Sequence, residues 1–277
     1  MTAATNILVI GPTRTASTAL WQGLKQIEGV SIASTKENYF FGRAISAKPE
    51  RTYRDYLSKH FEPGIRVDFE PSLFHHDEQL KKAFATPEIN HFVGILRAPI
   101  DLYKSAYGYN LRNGASYDGF EAFFQQASAH YAYRRVTRVA QECGVSIHWL
   151  PHHSLVADLR VFLTAVAIPF DNTAPLPLPY LNSSTKQVSV IGRMAKRVRA
   201  LKSNAAIRAL AERMRGNPFY ERLFYGAAKS ALAIPESELA TVMTLLEQDE
   251  AFYRSLVTTT ERHDAGQRAN MTSDSSS

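Results

Sequence analysis

Gly11-Pro12-Thr13-Arg14-Thr15-Ala16-Ser17-Thr18 is the stretch on which the fold turns. Before it stands Asn6-Ile7-Leu8-Val9-Ile10, a short apolar run that reads as a buried strand closed by the Gly-Pro turn. After it come Leu20, Leu24 and Ile27, spaced i, i+4, i+7, which predicts a helix over 17–27. A strand, a turn and a helix in this order bring backbone N–H groups and a helix N-terminus to one place, and that place suits an anion. The cation within the turn is Arg14.

Outward from this unit the pattern repeats. Val30 to Ala33 predicts a second strand, and Pro49 the start of a helix through Tyr53, Tyr56 and Leu57. Arg66 to Phe69 reads as a short strand, and Phe92 to Leu96 as a buried one followed by a helix from Pro99 to about Leu111. Asp118 and Glu121 form an N-cap pair for a helix carrying Phe120, Phe123, Phe124 and Ala127. Val145 to Leu150 is a strand and Ser154 to Val166 a helix. Strands alternating with helices predict an α/β fold, a central parallel sheet flanked by helices. After Pro169 a Pro-rich stretch leads into helices only, the last running from Pro235 to Leu256. Residues 263–277 are polar and Ser-rich and are expected to form a disordered tail. The expected organisation is therefore one domain over 1–262, with 187–262 as its helical C-terminal part.

The chain has 277 residues, enough for one large core. No apolar run is long enough for a membrane span, and no secretory leader is apparent, so a cytoplasmic protein is expected. The lone Cys143 excludes an intrachain disulfide framework and a cysteine-rich zinc site. His60, His91, His130, His148 and His263 show no metal-ligand spacing, and no metal is expected. The formal charge of +6 points to an anionic partner. The excess is local: Lys186 to Lys229 holds eleven Lys or Arg against two Glu, densest from Arg193 to Lys202. That segment reads as a solvated helix face, a lid over an anionic cofactor or a groove for an acidic substrate. It carries no nucleic-acid-binding signature.

The Gly11–Thr18 frame is close to a nucleotide-binding P-loop, but Ser17 stands at the Lys position and Ala16 at the preceding Gly. The loop thus suits a phosphate while lacking the lysine that supports a β,γ-phosphate. Two more segments bear on it. Lys36-Glu37-Asn38-Tyr39-Phe40-Phe41 comes after the second strand, and Arg97 ends the strand 92–96, with Ser105 on the helix beyond. Ligands of parallel sheets bind outside such strand ends.

Together these segments resemble the sulfotransferases that use 3′-phosphoadenosine 5′-phosphosulfate (PAPS). The first is similar to that family's 5′-phosphosulfate loop. The second is similar to the Lys-Glu-x-x-Phe-Phe segment of its carbohydrate-acting members. Leu96 to Tyr107 is similar to its 3′-phosphate segment, with Leu102 where an Arg often stands. Leu181-Asn182-Ser183-Ser184 resembles a further family segment, and the likeness spans roughly residues 6 to 186. It implies a P-loop-like fold and sulfuryl transfer from PAPS to a hydroxyl or amine, with a carbohydrate or glycoconjugate as the expected acceptor and without a metal. It implies that Thr13, Arg14, Thr15, Ala16, Ser17 and Thr18 hold the 5′-phosphosulfate and that Arg97 and Ser105 hold the 3′-phosphate. Arg14 would offset charge on the leaving oxygen, Glu37 would be the general base, and Lys36 would orient either Glu37 or the leaving oxygen. Asp68 and Glu70 would line the acceptor site as runner-up bases, or else form a solvated turn. Ala16 in place of Gly requires a negative φ at that position.

Other candidates are weaker. His75 and His76 read as an exposed helix start, and His152 and His153 as loop or cap residues near the cleft. Phe40 and Phe41 are expected to pack on the sheet. The competing classes are a nucleotide-dependent kinase of related fold and a non-catalytic nucleotide- or anion-binding protein.

Overall fold

The computed structural model describes residues 4–42, 52–128, 131–170, 174–179 and 233–274, with 261–274 by backbone alone. Among the described residues, five strands form one parallel sheet: β1 (Thr5–Ile10), β2 (Val30–Ile32), β3 (Ile65–Phe69), β4 (His91–Leu96) and β5 (Ile147–Pro151). Their order is β2-β3-β1-β4-β5. β1 is therefore central, with Val9 beside Phe69 on one flank and Val93 on the other.

A parallel pair needs a long crossover, and helices supply it. They are α1 (Ser17–Leu24), α2 (Tyr53–His60), α3 (Asp77–Phe84), α4 (Pro99–Arg112), α5 (Gly119–Ala127) and α6 (Tyr133–Glu142). Next come α7 (His152–Ala157), α8 (Arg160–Ala165), α9 (Glu236–Leu245) and α10 (Glu247–Asp274). The period of two along each strand sorts the core into two layers. Leu8, Ile10, Phe92 and Leu96 face α2, α3, α6 and α10 through Tyr56, Leu80, Val136 and Leu256. Ile7, Val9, Val93 and Ile95 face α1, α7 and α8 through Leu20, Leu155 and Phe162. Both faces are thus covered, which is why the strands read as continuous apolar runs.

The described residues fall into two compact units. The larger comprises Met1–Leu102, Ala127–Leu181 and Thr244–Ser277, and holds the whole sheet. The smaller comprises Tyr103–Gln126 and Asn182–Met243. Within it Tyr107 packs on Phe120 and Phe123, with ring centroids 5.4 Å apart in each pair.

Several boundaries differ from the sequence reading, each for a local reason. The helix expected from Ser154 to Val166 is two helices. Asp158 is extended between them, and its Oδ1 accepts from the N–H of Arg160 and of Leu176 (3.0 and 3.2 Å), starting α8 and anchoring the Pro-rich stretch. α5 is not capped by Asp118. Its Phe120 and Glu121 N–H groups donate to Glu238 Oε2 of α9, at 2.5 and 3.1 Å. α2 starts at Tyr53, where Thr52 Oγ1 accepts from the Asp55 N–H at 3.1 Å. Pro49 lies outside the described residues. The helix read from Pro235 to Leu256 breaks at Leu246, and α10 runs on to Asp274, into the stretch read as a tail. A helix does start beside His75 and His76, since His76 is the N-cap of α3 and Asp77 its first residue, but both histidines are half-buried rather than exposed, and Phe74, in the short 3-10 helix Pro71–His75 before them, is fully buried. The basic segment 186–229 and Leu181–Ser184 lie outside the described residues.

Gly94 of β4 is in register with Trp149 of β5, and a Cβ built at Gly94 would stand 2.3 Å from the indole ring. The ring occupies the space a side chain would need. Gly94→Ala is expected to destabilise the fold by about 1–3 kcal/mol or more, since the sheet backbone cannot yield freely. A lower urea midpoint than the parent's is the check, and an unchanged midpoint would contradict this packing.

Candidate functional site

Because the strands are parallel, every strand leaves the sheet by its carboxyl end at the same edge. The loops after β1, β2, β3, β4 and β5 therefore share that edge, and it carries the segments singled out in the sequence. The chain goes from β1 to β2 and β3 on one flank, then crosses to β4 on the other. Such a reversal beside a central strand is where an open parallel sheet offers a crevice.

The Gly11–Ala16 loop is shaped by its own contacts. Thr15 is almost fully buried and its Oγ1 donates to the Pro12 carbonyl at 2.8 Å, so the hydroxyl braces the loop from inside. Arg14 and Ala16 have φ of 75° and 63°, in the left-handed region. The negative φ expected at Ala16 is thus overturned: the alanine takes the conformation that a glycine would adopt without strain. An L-residue there costs about 1–2 kcal/mol. Ala16 is also the N-cap of α1, its carbonyl accepting from the Leu20 N–H at 3.0 Å, and it has no side-chain acceptor to offer the first amides. Those amides are the donors that an anion would satisfy. Ser17 and Thr18 open the helix and are half-buried, while Thr13 is exposed. Ala16→Gly is expected to raise stability by up to about 1 kcal/mol, the relief of strain being partly offset by the entropy of glycine. A urea titration that instead shows a clear loss would contradict the left-handed cap.

Arg97 stands at the end of β4 and ties two loops together. Its Nη1 donates to the Arg14 carbonyl at 2.7 Å. Its backbone is held by the buried Tyr133 of α6, whose hydroxyl accepts from the Arg97 N–H at 2.9 Å and donates to the Arg97 carbonyl at 3.0 Å. Burial lowers the guanidinium below its ordinary value, with Asp101 and Tyr133 opposing. A guanidinium has five N–H donors, and the Arg14 contact uses one. Ser105 lies on α4, within the second unit. Leu102, at the position where the resembled segment often has Arg, is fully buried among Leu96, Tyr133 and Trp149.

His152 comes directly after Pro151, the register partner of Leu96, and so stands next in line beside Arg97. It opens α7 and is half-buried. Burial, then the charges of Arg97 and His153, push it down to about 4, against an opposing effect of Asp101. Unfolded, it would titrate near 6.5. Between these values the unfolded chain binds a proton that the folded chain does not, so this contribution to stability is full above about 6.5 and is lost as the pH falls toward about 4. His152→Gln should therefore show a smaller drop in urea midpoint between pH of about 7 and about 4.5 than the parent. An equal drop in both proteins would remove His152 from this role.

The loop after β2 carries the acidic candidate. Lys36 Nζ is ion-paired with Glu37 Oε1, and Tyr39 Oη donates to Glu37 Oε2 at 2.6 Å. Burial brings Lys36 down to about 8. Glu37 and Tyr39 both have left-handed φ, 63° and 57°. The loop is anchored at its far end: the Phe41 N–H donates to both Glu70 oxygens at 3.1 Å, and the Phe40 and Phe41 rings pack against Tyr53. Glu70 has no exposed surface, and its own N–H donates to Val9 of β1 at 3.0 Å. Asp68 is likewise buried. It accepts from the Tyr53 and Tyr56 hydroxyls at 3.3 and 3.1 Å and from the Phe69 N–H at 2.9 Å. Burial, with the charge of Asp68 next, raises both tyrosines. The reading of Asp68 and Glu70 as a solvated turn is therefore wrong. Both are enclosed, and the described contacts of Glu70 brace the loop that bears Glu37.

The structure thus joins Arg14 to Arg97, and Lys36 to Glu37 to Tyr39, on one edge of one sheet. Sequence reasoning passed over Tyr39, Tyr133 and the neighbourhood of Arg97 and His152. Only Tyr39 had a sequence signal, two residues beyond the candidate acid. Among the described residues no group of three or more His, Cys, Asp or Glu could hold a metal, and no helix is long and apolar enough to cross a membrane.

No protein-family model and no curated protein matches the chain. Solved structures do. Mouse sulfotransferase SULT7A1, complexed with PAP, is 13% identical, with 92% of this chain and 89% of that one covered at a TM-score of 0.50. A sulfotransferase from Alicyclobacillus acidocaldarius is 18% identical over 74% of this chain and 99% of its own, with a TM-score of 0.47. The likeness to the mouse protein shows the fold: a P-loop-like sulfotransferase fold, its parallel sheet flanked by helices, with helices at the C-terminal end.

Proposed function

We propose that this chain moves a sulfuryl group from PAPS to a hydroxyl or amine of an acceptor, a carbohydrate or glycoconjugate. The observation that carries the reading is the bond from Arg97 to the Arg14 carbonyl. It fastens the segment resembling a 3′-phosphate site to the segment resembling a 5′-phosphosulfate loop. That a mouse protein of the same fold is complexed with PAP supports the donor class.

In this reading the Thr13–Thr18 amides and the Ser17 and Thr18 hydroxyls hold the 5′-phosphosulfate, while the buried Thr15 hydroxyl only braces the loop. Arg14 offsets the charge that collects on the bridging oxygen as its bond to sulfur breaks. Arg97 binds the 3′-phosphate, the group that separates this donor from ATP. Charge-assisted contacts of this kind are about twice as strong as neutral ones. Glu37 accepts the proton of the acceptor as its oxygen bonds to sulfur, and Lys36 orients Glu37. Adenosine 3′,5′-bisphosphate then leaves. Asp68 and Glu70 act from behind, through the loop, in place of the direct acceptor contact that the resemblance implies. With Ser17 at the Lys position, support for a β,γ-phosphate is missing, which disfavours the kinase reading.

A thermal-shift titration tests this. Adenosine 3′,5′-bisphosphate should raise the melting temperature in a saturable way, ATP should raise it far less, and Arg97→Ala should abolish most of the difference. A shift with ATP alone would favour a kinase. No shift with either ligand would favour a protein that does not bind nucleotides.

A further inference from the structure

Glu37 is partly open to solvent, with 27% of its side-chain surface exposed. A carboxylate on such a loop would ordinarily sample several rotamers. Here both of its oxygens are engaged, Oε1 by the ammonium of Lys36 and Oε2 by the hydroxyl of Tyr39 at 2.6 Å. Lys36 is the preceding residue, and side chains so close in sequence normally diverge. They converge because the chain turns through the left-handed region at Glu37 and again at Tyr39. Each such turn strains an L-residue. The strain is held by the bonds from the Phe41 N–H to the buried Glu70 and by the rings that enclose Phe40 and Phe41.

We infer that Tyr39 is a positioning residue for Glu37: its hydroxyl fixes the carboxylate from the side opposite Lys36 and holds it ionised and aimed. The inference rests on the proposed role of Glu37 as the base. A donor on a carboxylate has two chemical effects. The hydroxyl favours the charged form, so its loss makes Glu37 easier to protonate. It also fixes one orientation, so its loss lowers turnover without weakening the grip on the donor. The oxygens keep room for the acceptor, since an ionised carboxylate has about four acceptor sites and these contacts fill two.

Tyr39→Phe keeps the ring and removes only the hydroxyl. With ¹³C-labelled glutamate, the Glu37 carboxyl signal is the one missing from Glu37→Gln. In Tyr39→Phe the midpoint of its titration should move to higher pH. With sulfur-labelled PAPS and a mixed oligosaccharide acceptor, kcat should fall about tenfold to a hundredfold, its acid limb should shift in the same direction, and the KM for PAPS should stay within about twofold. An unchanged midpoint and an unchanged acid limb in a folded Tyr39→Phe would overturn the inference, even if the rate fell. Failure of the parent to transfer sulfur to any acceptor would instead defeat the proposed function, and the carboxyl titration would still decide the part played by Tyr39.

Discussion

Arg97 reaches across from the end of β4 to the carbonyl of Arg14 in the loop after β1, and the arrangement of the site depends on that reach. The strands are neighbours in the sheet, so the two loops leave side by side, but adjacency alone would leave the Gly11–Ala16 turn free to choose among conformations. The guanidinium selects one. Tyr133 in turn fixes the backbone of Arg97 from both its N–H and its carbonyl, and Thr15 fixes the turn from within. A left-handed alanine at the mouth of α1 persists because these contacts over-determine the turn, as strained residues at functional sites require.

A second layer of support is acidic and buried. Asp68 and Glu70 alternate with Phe69 along the exit of β3, and neither is left without donors. Burying a carboxylate is costly unless hydrogen bonds replace the water it loses. Asp68 gains two phenols and an amide, while Glu70 gains the amide of Phe41. The loop after β2 is therefore attached to the same rigid edge as the phosphate-type loop, although β2 itself is short and lies at the sheet's margin.

Much of the fold could be read from the chain because buried parallel strands are apolar on both faces. Ile7 to Ile10 and Phe92 to Leu96 had no other reading, and the turn at Gly11-Pro12 marked where β1 gives way to the loop and α1. The errors cluster where a distant group decides a local matter. Nothing near Asp118 shows that Glu238 would take the amides of α5, and nothing near Ser154 shows that Asp158 would be drawn out to hold Leu176. In the site, Arg14, Lys36, Glu37 and Arg97 were legible because motif spacing places them. The inward turn of Asp68 was not, since Tyr53 and Tyr56, which receive it, come from a separate helix. The positive φ of Ala16 escaped too, because side-chain chemistry favours the other sign and only the closed turn enforces this one.

Leu102 illustrates how a core can restrict the further development of a binding edge. It lies wholly inside the hydrocarbon between the sheet and its covering helices. Installing a guanidinium at this address would bury charge among apolar and aromatic side chains. Evolution, or an engineer, would have to place an added cation at a different part of the chain.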